Sequence, residues 1–270
     1  MKQEIFDFFS NLALTHIGIA IGKDKAYLMQ SRLNELSKSL GIDIEELYRN
    51  AKTRLTNELL NQIIDALTIN ETYFFRDKAQ FEALKKYVLP ELIERNQQQK
   101  KLRIWSCACS TGQEPYSIAM LIAEHFPQLL KWNLDIIGSD ISKKVIEYAK
   151  KGEFSQIEVN RGLPARLLAK YFRQKGNKWV LDGSIKRMVK FIQLNLKKDF
   201  SYLGKFDIIF CRYVLIYFPQ DLKKDILNRL ENSLNKGGYL FLGGTEIPPP
   251  FGNTIVRKKL GSCVCYHLPV

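Results

Sequence analysis

Two short stretches of the sequence hold polar residues where a fold could use them to bind a ligand. The first, NETYFFR at 70–76, follows a helical pattern and holds two phenylalanines and one arginine. The second, CACSTGQEPY at 107–116, follows an apolar strand pattern, opens a helix and contains a single glycine, Gly112. Glycine lets a ligand approach the backbone closely, and parallel sheets bind ligands beyond the carboxyl ends of their strands. The second stretch is therefore predicted to be a ligand-binding turn.

The composition of this turn favours a cationic ligand group over a pyrophosphate. Glu114 lies at the predicted helix entrance, where a carboxylate interacts favourably with the helix dipole and could pair with a cation. The same carboxylate would repel a pyrophosphate, and the sequence lacks the GxGxxG pattern of dinucleotide sites. Both features argue against a dinucleotide-binding site.

Polar residues also end the next two predicted strands. Asp140 ends the pattern LDIIGSD, and a carboxylate there can accept hydrogen bonds from both hydroxyls of a ribose. Asn195 ends the third strand pattern, and its amide could read the edge of a base. Each has a simpler alternative, since Asp140 could cap the next helix and Asn195 could belong to a turn. Together with Glu114 they indicate a nucleoside with a cationic tail, which is the shape of S-adenosylmethionine.

The elements that must position these residues follow from the hydrophobic pattern. Residues 1–68 have apolar positions at spacings of three and four and are predicted to form a small all-helical domain. Residues 69–101 are predicted to be a linker that contains a helix. Residues 102–270 alternate strands with helices before a final hairpin, which predicts an α/β fold with a mostly parallel sheet. A stretch at about 151–190 breaks this rhythm and is predicted to be an insertion of short strands.

Charge is distributed unevenly along the chain. Its 270 residues carry a formal net charge of +13, and residues 143–198 alone hold 15 Lys and Arg against 4 Asp and Glu, a net of +11. Such a field attracts nucleic acid, anionic lipid or an acidic protein surface, although a solvated lysine-rich face would give the same count. No apolar run approaches the ~20 residues that span a bilayer, and the N-terminus lacks a signal-peptide pattern, so a cytoplasmic protein is expected.

The cysteines indicate neither a disulfide framework nor a metal site. Their number is odd, since Cys263 makes a fifth, and the other four lie in apolar strand-like stretches, at Cys107, Cys109, Cys211 and Cys265. The CxC pairs lack the spacing of zinc ligands, and the three histidines have no motif around them. We therefore expect buried free thiols and no metal.

The sequence resembles the chemotaxis receptor glutamate methyltransferases, a family that uses S-adenosylmethionine. The resemblance covers nearly the whole chain and is carried by NETYFFRD, CSTGQEPYSIA, GSDIS, the QLNL strand end, CRYVLIYF and GGYLFLGGTE. It implies a helical N-terminal domain, a linker and a Rossmann-like class I methyltransferase domain at 102–270. That domain would carry a small β-subdomain within the predicted insertion.

The resemblance also implies roles for individual residues. Contacts with S-adenosylmethionine would fall on Asn70, Thr72, Arg76, Glu114, Asp140, Asn195, Leu196, Arg212 and Tyr213. The NETYFFR stretch would fold back over the cofactor, while Phe74 and Phe75 would pack the domain junction. Arg76 is the candidate for orienting the substrate carboxylate or closing the site. Tyr217 is the candidate for shaping the methyl-transfer pocket, with plain packing as its alternative.

Two residues depart from the family pattern. The family commonly has CRN where this chain has CRY, so an amide side-chain contact at Tyr213 would be lost. Gln113 stands where the family commonly has an acid. This departure weakens the resemblance little, because Glu114 is present.

The activity that the resemblance implies is methylation of glutamate side chains on a chemoreceptor during chemotaxis adaptation. The products would be glutamate methyl esters and S-adenosylhomocysteine. A glutamate is already ionised at neutral pH, so no general base and no catalytic His or Cys is expected. The expected partner is the acidic cytoplasmic helical bundle of the receptor. The enzyme is expected to be a monomer that does not insert into the membrane. Family members that bind a C-terminal peptide of the receptor carry a glycine-containing loop extension in the β-subdomain. The corresponding stretch here, FRQKGNKWVLDG, is short and has only Gly176 before Trp179, which favours the type that binds no such peptide.

Two other functions stay open at this point. An RNA or DNA methyltransferase would suit the sequence pI of about 9.4 and the basic insertion. Against it, the sequence has no NPPY-type motif, no catalytic cysteine motif and no recognised RNA-binding signature. A non-catalytic signalling adaptor with the same fold is the second alternative, and Tyr213 is its only support.

Overall fold

The structure is a computed structural model that describes residues 1–252 and 254–270. Within these residues lie ten strands, at β1 Lys101–Cys107, β2 Asn133–Asp140, β3 Glu153–Ser155, β4 Phe172–Lys175, β5 Lys178–Leu181, β6 Val189–Gln193, β7 Phe206–Cys211, β8 Leu234–Phe241, β9 Val256–Leu260 and β10 Cys263–His267. They also hold twelve α-helices, at α1 Gln3–Ile17, α2 Ala26–Ser39, α3 Ile44–Thr53, α4 Asn57–Leu67, α5 Lys78–Ala83, α6 Leu89–Arg95, α7 Gln113–His125, α8 Lys143–Lys151, α9 Gln156–Asn160, α10 Ala165–Tyr171, α11 Gly183–Lys186 and α12 Gln220–Asn232. None of these helices is both long and apolar enough to cross a bilayer.

A seven-stranded sheet forms the centre of the molecule, in the order β6-β2-β1-β7-β8-β10-β9. The first five strands in this order are parallel, whereas β10 runs antiparallel to β8 and to β9. The chain moves outward from β1 in one direction through β2 and β6, and in the other through β7 and β8. The carboxyl ends of β1 and β7 therefore adjoin at the topological switch point, where sheets of this kind bind ligands. The predicted class I methyltransferase fold is confirmed, although the third parallel strand ends at Gln193 rather than at Asn195.

The first four helices pack around a core of their own. Phe9, Leu33, Leu47 and Ile63 are fully buried in it, as the three- and four-residue spacing predicts. On α2, Arg32 Nη1 donates to the backbone oxygen of Thr68 at 2.8 Å, just beyond the end of α4. The division of the chain into domains at residues 68 and 101 stays a prediction.

A second, antiparallel sheet in the order β3-β5-β4 occupies the predicted insertion, and we call it the small sheet. Its aromatic residues Phe154 and Phe172 pack edge-to-face against Phe74, with ring centroids 5.1 and 5.7 Å away. Phe74 is fully buried, and Phe75 packs against Phe81 with centroids 5.1 Å apart. Phe74 thus packs against the small sheet and Phe75 against α5, while their predicted place at the domain junction stays a prediction. Through Phe74 the small sheet holds residues 68–77, which we call the connector loop.

Glu124 joins α7, which packs on the main sheet, to α10 of the insertion. It lies in the last turn of α7, and its carboxylate accepts hydrogen bonds from Lys170 Nζ at 2.5 Å and Tyr171 OH at 2.7 Å. Arg166 Nη1 lies 2.7 Å from its other oxygen. All three partners belong to α10. The hydrogen bond from Lys170, followed by that from Tyr171, lowers the pKa of Glu124 to about 2.

Replacing Glu124 by Gln should lower the free energy of unfolding at pH 7 by roughly 1–3 kcal/mol, because charged hydrogen bonds are lost. The pKa of the folded state, about 2, lies below the usual 4.5. The carboxylate therefore contributes fully above the unfolded-state pKa, and its contribution fades as the pH falls towards the folded-state value. Chemical denaturation should show the difference between variant and wild type shrinking through this window.

Glu147→Gln on α8 is the matched control. Its side chain is 54% exposed and pairs with Lys150 on the same helix, at 2.9 Å. Exposed pairs contribute little, so this change should leave the free energy of unfolding nearly unchanged. A Glu124→Gln effect as small as the control, or one independent of pH, would contradict the role given to Glu124.

Candidate active site

A cavity lies beyond the carboxyl ends of β1, β2, β6 and β7, at the switch point of the main sheet. Four parts of the chain form its walls: the end of α1 with the segment after it, the connector loop, the loops after β1, β2 and β6, and the turn after β7. Seven of the predicted site residues line it: Asn70, Asp140, Asn195, Leu196, Arg212, Tyr213 and Tyr217. Residues that are far apart in sequence are thus brought together where the sheet topology favours a ligand.

The turn after β1 has an unusual backbone. Ala108 and Ser110 carry side chains yet adopt left-handed φ angles of 49° and 50°, and Gly112 follows at 93°. Such conformations cost on the order of 1–3 kcal/mol for residues with a β-carbon and are found mainly at functional sites. The turn is tied to its neighbours: Cys109 N donates to the oxygen of Ser139 at 2.9 Å, and Ser110 Oγ donates to the oxygen of Asn70 at 2.8 Å. The second bond couples the connector loop to the turn.

Asp140 is buried at the end of β2 and faces the same cavity. Its two oxygens accept hydrogen bonds from Ser110 N at 2.9 Å and Ser142 N at 3.0 Å. Ser142 itself caps α8 by accepting from Val145 N, so Asp140 is not the helix cap. Burial raises the pKa of Asp140 above its usual range, and these backbone donors oppose the rise. Each carboxylate oxygen keeps a further acceptor position, which fits the two hydroxyls of a ribose.

Arg212 forms a buried ion triad with Glu114 and Asp77. Its Nη1 donates to Glu114 Oε2 at 2.6 Å and its Nη2 to Asp77 Oδ2 at 2.7 Å, and only 2% of its side chain is exposed. Ser106 Oγ donates to the other oxygen of Glu114 at 2.7 Å. Burial alone would lower the pKa of Arg212, but the two carboxylates outweigh burial and raise it. Glu114 therefore pairs with a cation of the protein itself, and it is not among the residues lining the cavity.

Arg76 is held at the edge of the cavity from three directions. Its backbone oxygen accepts from Arg212 Nη2 at 2.7 Å, and its Nη1 donates to the oxygen of Glu71 at 2.8 Å. Its guanidinium carbon lies 3.7 Å from the centroid of the Tyr213 ring. Arg76 does not itself line the cavity, but its neighbours Glu71 and Tyr213 do. A positive charge therefore stands beside the cavity in a fixed position.

Asn195 lines the cavity, but its side-chain amide is engaged elsewhere. Its Nδ2 donates to the oxygen of His16 at 2.8 Å, and its Oδ1 accepts from Lys197 N at 2.9 Å. The second bond is local and stabilises a turn, which was the simpler alternative for Asn195. A contact between this amide and a base would have to replace one of these bonds, so base recognition by Asn195 stays a prediction. Thr72 is partly buried in the connector loop and is not among the residues lining the cavity.

Sequence reasoning missed several residues that shape the site. Ile17 and Ile19 close the cavity from the helical region, and the sequence marks them only as apolar residues of a distant segment. Asp77 and Glu246 could have been identified from the sequence, because both lie inside stretches that carried the family resemblance. Glu246 Oε2 accepts from Tyr213 N at 2.7 Å and so holds the turn after β7.

These residues fit S-adenosylmethionine. Asp140 offers acceptors for a ribose, and the side chains of Leu196, Ile141 and Phe218 give the cavity apolar walls. Arg212 Nε is buried without a hydrogen-bond partner in the described part of the chain, which leaves a charged donor for the carboxylate of the amino-acid tail. Residues 1–252 and 254–270 contain no group of three His, Cys, Asp or Glu side chains placed to hold a metal ion. The five cysteines are free and buried, as predicted.

Comparison with known proteins identifies the family of the chain. The family model described as "CheR methyltransferase, SAM binding domain" matches residues 70–260. The chain is 44% identical over 247 residues to "Chemotaxis protein methyltransferase 1" of Pseudomonas aeruginosa, covering 89% of each chain. It is 44% identical over 234 residues to "Chemotaxis protein methyltransferase Cher2" of Pseudomonas putida (85% of each chain), and 35% identical over 260 residues to "Chemotaxis protein methyltransferase 2" of Vibrio cholerae (93% of this chain and 88% of the relative). This chain therefore belongs to the CheR methyltransferase family.

Proposed function

We propose that this S-adenosylmethionine-dependent methyltransferase methylates glutamate side chains on the cytoplasmic helical bundle of a chemoreceptor. The observation that carries the proposal is the Arg76 guanidinium, fixed at the cavity edge by the Tyr213 ring and the Glu71 carbonyl. A fixed cation at this place suits an anionic acceptor. A glutamate carboxylate is such an acceptor, and Arg76 can bind it through parallel hydrogen bonds.

The chemistry asks little of the protein beyond positioning. S-adenosylmethionine, when bound, supplies an electrophilic methyl group. A glutamate has an ordinary pKa near ~4.3, so it is ionised at neutral pH and needs no base. Alignment of two reactants can lower a barrier by roughly 7–11 kcal/mol, and we assign that work to Arg76 and to the walls of the cavity.

Exclusion of water is the second task of the protein. Opposite charges are neutralised in methyl transfer to a carboxylate, so a drier site favours the reaction. Tyr217 and Phe218, in the turn after β7, line the cavity together with Ile17 and Ile19. Ala20 N donates to the backbone oxygen of Tyr217 at 3.0 Å, which ties this turn to the segment after α1. Burial raises the pKa of Tyr217, so its hydroxyl stays protonated at neutral pH. We assign Tyr217 the shaping of the pocket in which the methyl group moves.

Receptor recognition is proposed to depend on the basic surface between residues 143 and 198. Arg173, Lys175 and Lys178 are exposed on the small sheet. An acidic receptor bundle would be attracted to this surface. The β4–β5 hairpin turns through Gly176 and Asn177 alone, with Gly176 at a φ of 61°, so it carries no loop extension. This short turn supports the peptide-independent type, and a monomeric enzyme stays part of the proposal.

Transfer of a radiolabelled methyl group tests the proposal against its alternatives. The wild-type enzyme is offered receptor cytoplasmic fragments, total tRNA and duplex DNA in parallel. We expect label on the receptor fragment alone, and the counts should be released by mild alkali because esters hydrolyse and N-methyl groups do not. Alkali-stable label on nucleic acid would support the nucleic-acid methyltransferase. Absence of S-adenosylmethionine binding by calorimetry would support the non-catalytic adaptor.

Asp140→Asn should weaken S-adenosylmethionine binding by roughly 1–3 kcal/mol, because a charged acceptor for the ribose is lost. Isothermal titration calorimetry measures this directly. Asp135→Asn is the matched control, since Asp135 lies at the other end of β2 and pairs with Arg103 and Lys190. Equal affinity of the folded Asp140→Asn variant and the control would remove Asp140 from the site.

Arg76→Ala should reduce kcat for receptor methylation more strongly than it reduces affinity for S-adenosylmethionine. The physical reason is that the guanidinium positions the acceptor, and loss of a charged hydrogen bond costs roughly 1–3 kcal/mol, or about 5- to 150-fold. Steady-state kinetics and calorimetry on the same preparations separate the two effects. Arg76→Lys keeps the charge but not the planar pair of donors, and it should restore part of the rate. Wild-type turnover combined with weak cofactor binding would assign Arg76 to the cofactor alone.

Reversing the charge of Arg173, Lys175 and Lys178 to Glu should lower kcat/KM for the receptor at low salt while cofactor affinity is retained. Salt screens charges over a Debye length of about 8–10 Å, so the loss should shrink as ionic strength rises. The control carries Lys100→Glu, Lys101→Glu and Lys205→Glu, an equal charge change at the amino ends of the central strands β1 and β7. Equal losses in both triple variants would show that only net charge matters, and an unchanged rate would show that this surface plays no part in recognition.

A further inference from the structure

Tyr213 follows Arg212 in the turn after β7 and has a backbone conformation that suits it poorly. Its φ is 57°, in the left-handed region that bulky side chains rarely adopt. Glu246 Oε2 holds this conformation by accepting from both Tyr213 N and Gly243 N at 2.7 Å. A residue kept in such a conformation by its surroundings is a candidate for a role in function.

The side chain of Tyr213 contacts two successive residues of the connector loop. Its ring stacks against Arg76, whose guanidinium carbon is 3.7 Å from the ring centroid. Its hydroxyl donates to Asp77 Oδ2 at 2.5 Å, the same oxygen that pairs with Arg212. Burial and then Asp77 raise the pKa of Tyr213, so the hydroxyl is a donor at neutral pH. One side chain thus restrains both Arg76 and the residue after it.

The connector loop needs such restraint at this point. Phe75 and Asp77, on either side of Arg76, also have left-handed φ angles, of 53° and 61°. Without Tyr213, the long side chain of Arg76 would keep its hydrogen bond to the Glu71 oxygen and its more distant contact with the Tyr73 ring, 5.6 Å away. Neither contact fixes the plane of the guanidinium as closely as a ring stacked at 3.7 Å. Planar stacking of this kind is a particular property of arginine.

We propose that Tyr213 is a positioning residue for methyl transfer, which holds the Arg76 guanidinium in the orientation that meets the acceptor carboxylate. The ring fixes the plane of the guanidinium, and the hydroxyl fixes the backbone through Asp77. This inference rests on the proposed function, in which Arg76 orients a glutamate. Tyr213 also lines the cavity, so the competing role is a direct contact with the cofactor.

The first test observes Arg76 itself and needs no substrate. In protein labelled with ¹⁵N-arginine, the ring current of Tyr213 should displace the Arg76 Nε–H resonance, which is assigned by its absence in Arg76→Lys. Tyr213→Ala should abolish the displacement, whereas Tyr213→Phe should retain most of it. An Arg76 resonance unaffected by Tyr213→Ala would overturn the inference.

The second test is a double-mutant cycle on kcat for receptor methylation. Tyr213→Ala should lower kcat by about 10-fold or more, because a stacked cation and a charged hydrogen bond are lost together. Tyr213→Phe should show a smaller loss. In the Arg76→Ala background, Tyr213→Ala should change kcat by less than about 2-fold, since coupled residues are non-additive. The dissociation constant for S-adenosylmethionine should stay within about 3-fold throughout.

Two outcomes of the cycle would contradict a positioning role. Additive effects of the two substitutions would show that Tyr213 does not act through Arg76. A rise in the cofactor dissociation constant equal to the fall in kcat/KM would assign Tyr213 to the cofactor. Tyr202→Ala, at a tyrosine 70% exposed in the β6–β7 connection, controls for general effects, and thermal unfolding checks the fold of each variant. If the wild type methylates no receptor fragment, the proposed function fails, and the resonance experiment still decides whether Tyr213 holds Arg76.

Discussion

The buried ion triad of Arg212, Glu114 and Asp77 is the interaction on which the rest of the site depends. It joins the end of β7, the first turn of α7 and the last residue of the connector loop, which are distant in sequence. Removing one partner from a buried triad leaves an uncompensated charge, at a cost of roughly 3–5 kcal/mol. Such a triad is weak evidence for stability, because apolar residues of the same shape can pack as well; what it specifies is which groups meet. Here it fixes the connector loop over the open end of the sheet.

The connector loop is held in place by several independent contacts, and each comes from a different part of the fold. The small sheet buries Phe74, the turn after β1 bonds to Asn70, and Arg32 of α2 bonds to Thr68. Together with the triad, these contacts make the loop one wall of the cavity rather than a flexible link. The same loop carries Arg76, so the positive charge proposed to meet the substrate is placed by the whole fold.

The sequence predicts the scaffold of this site better than its internal pairing. The alternation of strands and helices predicts the parallel sheet, and the position of Asp140 at a strand end predicts its place at the cavity. The sequence does not reveal that Glu114 is neutralised by Arg212, because the two residues are 98 positions apart and meet only in the folded sheet. Nor does it reveal that the Asn195 amide bonds to the oxygen of His16, 179 positions away. Long-range pairing of polar groups depends on tertiary geometry, which neither periodicity nor motif spacing records.

The central claim is that the fixed cation beside the cavity serves an anionic acceptor, a glutamate side chain. Tandem mass spectrometry of a receptor cytoplasmic fragment, after reaction with the wild-type enzyme and S-adenosylmethionine, tests this most directly. The account predicts a single added methyl group on the side-chain carboxylate of specific glutamates, removed by mild alkali. A methyl group on lysine, on glutamine or on nucleic acid, or no modification of any fragment by an enzyme that binds the cofactor, would contradict it.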